Sequence, residues 1–322
     1  MTWTKADIPN LEKKLAVITG GSSGIGFEAA KGLASKGAKV ILAVRNLDKG
    51  EIARKRIIEE FPFANVELMH LDLSDLNSIK EFADKFLEKY THLDLLINNA
   101  GVMTPPHRFT KDGFELQFGT NHLGHFALTG QILPALLATP CSRVVTISSI
   151  ATRSAEIHFD NLDGKKGYSR MKYYRQSKLA NLLFAVELNN RLKKAGASTI
   201  SLACHPGVTV TNLASMGSGK KSGFLVRMIF KMVGQPTEMG ALPTLYAATE
   251  PSLNGGEYIG PDGKLNKKGY PVISDEVNTL FKEDVAQRLW DLSEKLTGIN
   301  FVALIFLSAS LLAIQPKKVV IG

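Results

Sequence analysis

This sequence predicts a doubly wound, Rossmann-type α/β fold, a parallel sheet covered by helices on both faces. Three observations carry that expectation. Short β-branched runs alternate with longer helical patterns between Lys14 and Leu202. Most of the runs are nearly continuous apolar stretches, as strands buried on both faces require. A glycine-rich turn joins the first run to the first helical pattern, where such folds hold a ligand.

The first strand, Leu15-Ala16-Val17-Ile18, runs into Thr19-Gly20-Gly21-Ser22-Ser23-Gly24-Ile25-Gly26, and a helix follows over 24–36. Gly20, Gly24 and Gly26 let the backbone turn sharply and approach a pyrophosphate, whose charge is favoured by the exposed N–H groups of a helix N-terminus. The segment with Ser22, Ser23 and Ile25 is therefore the expected cradle of a dinucleotide. The second strand, Lys39 to Ala43, is followed by Arg45 and a helix over 48–60. No acid that could bond a ribose 2′-hydroxyl occurs there before Asp48, whereas an arginine accepts a 2′-phosphate through charge-assisted bonds. NADP(H) is thus expected over NAD(H), with a loop-capping role for Arg45 as the plainer alternative.

The third strand, Val66 to Met69, precedes a helix over 75–90; the fourth, Leu93 to Ile97, precedes a long helical pattern over 112–138. The fifth, Arg143 to Ile147, closes on Ser148-Ser149, and a helix over 170–195 carries Tyr174-Arg175-Gln176-Ser177-Lys178. Lys178 shares a helix face with Tyr174, and its charge favours a phenolate; together with the charge of a nicotinamide it is expected to lower a pKa that is about 10 in a free tyrosine. Ser149 ends its strand where doubly wound sheets bind ligands and can hold a substrate oxygen, while alternation turns Ser148 to the other face. Tyr173 has Ser177 at its fourth position, so only Tyr174 is followed by a lysine there. After the sixth strand, Thr199 to Leu202, comes Pro206-Gly207. An excursion over about 211–236 then contains the apolar patch Phe224-Leu225-Val226-Arg227-Met228-Ile229-Phe230. An excursion of this kind is expected to form a lid over the carboxyl end of the sheet.

Taken in order, Thr19-Gly20…Gly24-Ile25-Gly26, Asp72-Leu73, Asn98-Asn99-Ala100-Gly101, Asn121, Ser149, Tyr174…Lys178 and Pro206-Gly207 closely resemble the short-chain dehydrogenase/reductase family over about residues 10–298. Within it the chain looks most like the retinol dehydrogenase-like branch. The supporting stretches are Arg45 to Gly50, Asn121-His122-Leu123-Gly124-His125-Phe126, the insert Ile157 to Leu162, and Ser177-Lys178-Leu179-Ala180-Asn181. The resemblance implies an NADP-dependent oxidoreductase that interconverts an alcohol and a carbonyl, with Asn121, Ser149, Tyr174 and Lys178 as its catalytic tetrad. It places Asp72 and Leu73 beside the adenine, and Asn99, Ala100 and Gly101 along the cofactor. Tyr174 and Lys178 also touch the cofactor by this resemblance, as do Pro206, Gly207, Thr209 and Thr211. Asn121 helps to place Lys178 in a proton relay. Val208-Thr209 departs from the relatives' order, in which the β-branched aliphatic residue more often comes second. The apolar patch in the expected lid motivates a lipophilic substrate. Reduction of a conjugated C=C bond, as in the similar protochlorophyllide reductases, and a non-catalytic NADP-binding sensor or scaffold are the alternatives.

At 322 residues, with 44% hydrophobic and 21% charged residues, the chain reads as one catalytic domain over 1–298 and an apolar tail over 299–322. Its net charge of +9 is scattered in short clusters such as Lys165-Lys166, which reads as a solvated basic surface and not a nucleic-acid arm. Cys141 and Cys204 fit no metal spacing and no disulfide framework, so a reducing, cytoplasmic setting is expected. No metal site is expected either; His122 and His125 read as packed or capping side chains. Met1 to Asn10 is polar, carries Pro9 and does not read as a signal peptide. The apolar stretch Phe301 to Ile314 would span about 21 Å as a helix, short of the roughly 30 Å hydrocarbon core. A membrane-surface anchor, a docked helix and a disordered extension are its alternatives. Relatives often pair through the helices containing Asn121 and Tyr174, which keeps a homodimer open.

Overall fold

A computed structural model describes residues 2–209 and 234–304. Thr211, the apolar patch 224–230 and most of the expected lid lie outside the described residues, as does the tail from 305 onward.

Alternation along the first strand, β1 (Leu15–Thr19), sorts its side chains between two cores: Ala16 and Ile18 enter one, Leu15 and Val17 the other. The remaining strands are β2 (Lys39–Val44), β3 (Val66–His70), β4 (Leu95–Asn98), β5 (Arg143–Ile147), β6 (Ile200–Cys204), β7 (Tyr258–Pro261) and β8 (Pro271–Ile273). They form one sheet in the order β3-β2-β1-β4-β5-β6-β7-β8. Neighbours are parallel except β7 and β8, which pair antiparallel at the edge. The six expected strands are present. The last two were not expected, because Gly260-Pro261 and Pro271 interrupt any apolar run long enough to read as a strand.

The helices are α1 (Gly24–Ala34), α2 (Leu47–Glu60), α3 (Leu76–Lys89), α4 (Leu116–Phe118), α5 (Gly124–Leu137), α6 (Arg170–Lys194), α7 (Thr237–Gly240), α8 (Leu242–Thr249), α9 (Glu276–Leu280) and α10 (Glu283–Thr297). Phe27 and Leu33 of α1, Ile57 of α2 and Leu245 of α8 cover one face of the sheet. Phe82 and Phe86 of α3, Phe126 of α5 and Phe184 of α6 cover the other. The pattern expected over 112–138 starts later and is interrupted. Glu115 caps it, its carboxylate accepting from Gln117 N at 3.0 Å and Phe118 N at 2.7 Å. A π turn over Gly119–Leu123 then separates α4 from α5, closed by Gly124 N–H on Gly119 O.

α10 lies across α6, and its Trp290 meets Phe301 at 4.6 Å and Phe126 at 5.1 Å between ring centroids. Phe301 and Leu304 are buried in the same cluster, so the packing of the domain continues past residue 298, where the tail was expected to begin. Among the described residues, no helix is long and apolar enough to cross a membrane.

Candidate active site

The sheet is wound outward in both directions from β1 and β4, and the crevice at their carboxyl ends is where such folds take ligands. Gly20 leaves β1 with φ +68°, and an added Cβ there would lie 3.0 Å from Ala100 Cα. A Cβ at Gly26 would overlap Asn99 Nδ2, which donates to Thr19 O at 2.8 Å. These two glycines bring the turn Gly20–Gly24 and the turn Asn99–Gly101 into direct packing. Ser23 starts α1 without a side-chain cap, and no acidic residue stands in the first turn. Ser22, Ser23, Gly24 and Ile25 therefore surround an open helix N-terminus suited to an anion.

Arg45 is exposed just past β2. The cap of α2 is its neighbour Asn46, whose Oδ1 accepts from Lys49 N at 2.8 Å. Asp72 follows β3 and turns its Oδ1 to Ser74 N at 2.9 Å and Ser74 Oγ at 2.7 Å. Leu73 is buried, and a Cβ at Gly124 would lie 3.0 Å from Leu73 Cβ. Beyond β6, Gly207 has φ +67°, and Pro206 O accepts from Thr209 Oγ1 and Gln235 Nε2, both at 2.9 Å. The hydrogen of the Thr209 hydroxyl is thus used locally, and its oxygen can still accept. The glycine path, the open N-terminus of α1 and the exposed guanidinium of Arg45 fit a dinucleotide phosphate.

Tyr174, Lys178 and Asn181 follow one another at helical spacing along α6, facing the end of β5. Lys178 Nζ donates to Ile147 O at 3.0 Å, and Asn181 Nδ2 donates to the same carbonyl at 3.0 Å. Asn121 sits in the π turn. Its Oδ1 accepts from Val102 N at 2.8 Å, and its Nδ2 donates to Val102 O at 3.0 Å and Ser177 Oγ at 2.9 Å. Asn121 does not bond Lys178 directly. They meet across Gly101, where a Cβ would lie 3.0 Å from Asn121 Oδ1 and 3.5 Å from Lys178 Nζ. Ser149 lies beyond β5, and its carbonyl accepts from Tyr258 Oη at 3.1 Å. Ser148 donates to Lys178 O on α6 at 2.8 Å. Tyr173 donates to Asn161 O and so anchors the insert before α6.

Burial governs the electrostatics of these groups. Burial pushes the Tyr174 hydroxyl above the usual tyrosine range, and only the Ser149 side chain opposes this. Lys178 is itself buried, held on Ile147 O, and pushed down to about 8 by loss of solvent. Tyr174 is therefore kept as a neutral phenol, a proton donor. His122 is pushed down to about 3 by burial and bonds Ser293 Oγ at 2.9 Å among Phe118, Phe126 and Phe184. Among the described residues, no group of three His, Cys, Asp or Glu side chains is placed to hold a metal ion.

Comparison with known proteins matches residues 14–219 to the family model described as short chain dehydrogenase. The chain belongs to the short-chain dehydrogenase family. Retinol dehydrogenase 11 of Mus musculus is 43% identical over 90% of this chain and 88% of its own length. The chloroplastic short-chain dehydrogenase TIC 32 B of Brassica napus is 38% identical over 87% of this chain and 88% of its own. A solved protein from Mycobacterium paratuberculosis, described as uncharacterized, superposes with a TM-score of 0.77 at 41% identity, over 94% of this chain and 99% of that one. A short chain dehydrogenase from Shigella flexneri, solved in complex with NADP, has a TM-score of 0.61 at 21% identity over 78% and 98%, a likeness of fold.

Within this short-chain dehydrogenase the structure adds groups that were not expected from the sequence. Asn181 was legible, since it lies on the Tyr174 and Lys178 face three residues further on. Tyr258 was not, because a single tyrosine in a short strand carries no signal of what its hydroxyl meets. Val102 and Ile147 act through their backbones, which no side-chain pattern reports.

Proposed function

We propose that this chain is an NADP(H)-dependent oxidoreductase that interconverts an alcohol and a carbonyl on a lipophilic substrate. One observation carries it: Tyr174, held as a neutral phenol, stands with the Ser149 side chain at the carboxyl end of β5. When bound, the nicotinamide cofactor supplies or accepts the hydride. Gly20, Ser22, Ser23, Gly24, Ile25 and Gly26 would hold its pyrophosphate, and Arg45 its 2′-phosphate. Asp72, Leu73, Asn99, Ala100 and Gly101 would line its adenosine side, and Pro206, Gly207 and Thr209 its nicotinamide side.

The chain's own residues then manage the oxygen of the substrate. Ser149 donates a hydrogen bond to it, stabilising the charge that develops there. Tyr174 gives it a proton in reduction, and takes one back in oxidation. Lys178, whose pKa of about 8 lets it exchange a proton near neutral pH, restores the proton of Tyr174. Asn121 keeps Val102 and Ser177 in place around that lysine. The lipophilic character of the substrate is supported by the residues at 224–230 and by the similarity to proteins named retinol dehydrogenase. Similarity extends to the chloroplastic relative at 38% identity, so an assay over several aldehydes and ketones identifies the substrate.

Tyr174→Phe removes only the proton donor. It should abolish the NADPH-linked reduction of retinal and related aldehydes while leaving NADPH affinity within about twofold. Undiminished turnover would refute the mechanism, and turnover with conjugated alkenes alone would favour C=C reduction.

A further inference from the structure

We infer that His125 is a positioning residue that ties the cofactor turn after β1 to the π turn carrying Asn121. This role rests on the proposed function, which gives those two turns their tasks.

The tautomer of His125 follows from a count of hydrogens. Thr19 Oγ1, at the end of β1, accepts from Asn99 N and Ala100 N, both at 2.9 Å. A hydroxyl has two lone pairs and one hydrogen, so with both pairs taken its hydrogen points to a third partner. His125 Nε2 lies at 2.9 Å and Ile97 O at 3.4 Å, and the shorter contact takes it. Nε2 is then an acceptor. The ring hydrogen sits on Nδ1, which donates to Asn121 O at 2.8 Å. Only this neutral Nδ1–H form satisfies both nitrogens of a side chain that is 1% exposed.

An imidazolium would press a second hydrogen against Thr19 Oγ1, which has no lone pair left. Burial holds the ring well below its usual pKa, at about 4, and the nearby charge of Lys178 acts in the same direction. His125 therefore stays neutral through the physiological range. Its bond to Thr19 beside Gly20 spans 106 residues of sequence, and its bond to Asn121 reaches the segment that holds Val102 and Ser177. The turns Gly20–Gly24 and Asn99–Gly101 and the π turn are in this way fixed as one unit.

The two halves of the ring can be removed separately. An asparagine amide nitrogen falls near the position of Nδ1, and a glutamine amide oxygen near that of Nε2. His125→Asn keeps the bond to Asn121 and loses the one to Thr19. Its NADPH Kd, read by fluorescence titration without turnover, should rise about tenfold. His125→Gln keeps Thr19 and loses Asn121. Its kcat should fall about tenfold, with NADPH Kd within about twofold of the unchanged protein. If both variants shift the two quantities alike, the positioning role is overturned.

Tyr174→Phe, measured beside them, separates the two levels. Turnover by that variant defeats the proposed function, whereas an inert Tyr174→Phe with no split between the histidine variants defeats only His125. Should either histidine variant fail to fold, the unaltered protein decides. A long-range nitrogen-15 spectrum of its seven histidines near pH 7 must contain a neutral Nδ1–H signal, and its absence overturns the assignment.

Discussion

Replacing Lys178 with methionine should stabilise the folded chain while abolishing turnover. The lysine is 4% exposed, and burial lowers its pKa from 10.5 to about 8. Each unit of such a shift is worth about 1.4 kcal/mol, so keeping the ammonium inside the fold costs on the order of 3 kcal/mol at neutral pH. Methionine is of similar length and carries no charge. Removing the ammonium forfeits its hydrogen bond to Ile147 O, but Asn181 Nδ2 still serves that carbonyl at 3.0 Å. With about 1 kcal/mol allowed for the lost bond, the variant should gain about 2 kcal/mol near pH 7.

The pH dependence fixes the sign. A lysine whose folded pKa is depressed carries its full penalty below that pKa, and sheds it as pH rises toward the unfolded value. Between about 8 and 10.5 the unfolded chain binds more protons than the folded one, so this group adds stability as pH rises. The advantage of Lys178→Met should therefore shrink across that window. Urea denaturation of both proteins near pH 7 and near pH 10, followed by circular dichroism and by fluorescence, measures the difference while cancelling other titrations. A variant less stable than the parent near pH 7, or a difference independent of pH, would refute the reasoning.

Arg45→Ala should raise the Kd of NADPH about tenfold or more and leave that of NADH nearly unchanged, since only a 2′-phosphate needs the guanidinium. Equal losses in a binding titration count against the cofactor preference. Gly26→Ala should abolish cofactor binding and destabilise the fold by about 1–3 kcal/mol, because the new methyl displaces Asn99 from Thr19 O. Calorimetry and titration report the two effects together. Phe301→Ala should cost about 3 kcal/mol, since the ring is buried against Trp290, Phe126 and Phe184; an unchanged urea midpoint would mean that the C-terminal segment does not pack there.

The central sheet was legible because strands covered on both faces need unbroken apolar runs, and Leu15 to Ile18 or Arg143 to Ile147 supply them. β7 and β8 were not legible for the opposite reason: Gly260, Pro261 and Pro271 are tolerated only where pairing is short or one-sided. α10 is marked in the sequence by Glu283 and Asp284 at its start, Lys295 near its end and Gly298, at φ +69°, as its stop. The spacing of Tyr174 and Lys178 located a pair on one helix face. It could not tell that both would be buried, or that burial would push the tyrosine up and the lysine down. His125 illustrates the same limit, because its partners lie on β1 and one turn behind it, and only the folded chain brings Thr19 near.

The π turn makes the length of its segment as important as its composition. An α-helix advances about 100° per residue, so the extra residue held in Gly119–Leu123 offsets everything before it against everything after it. Deleting one residue would return the stretch to ordinary winding and swing Glu115 and Gln117 about a quarter-turn relative to His125 and Phe126. Asn121 could not then keep both Val102 and the His125 ring. A stretch that reads as an ordinary helix thus works as a phase setting, closed to any insertion or deletion.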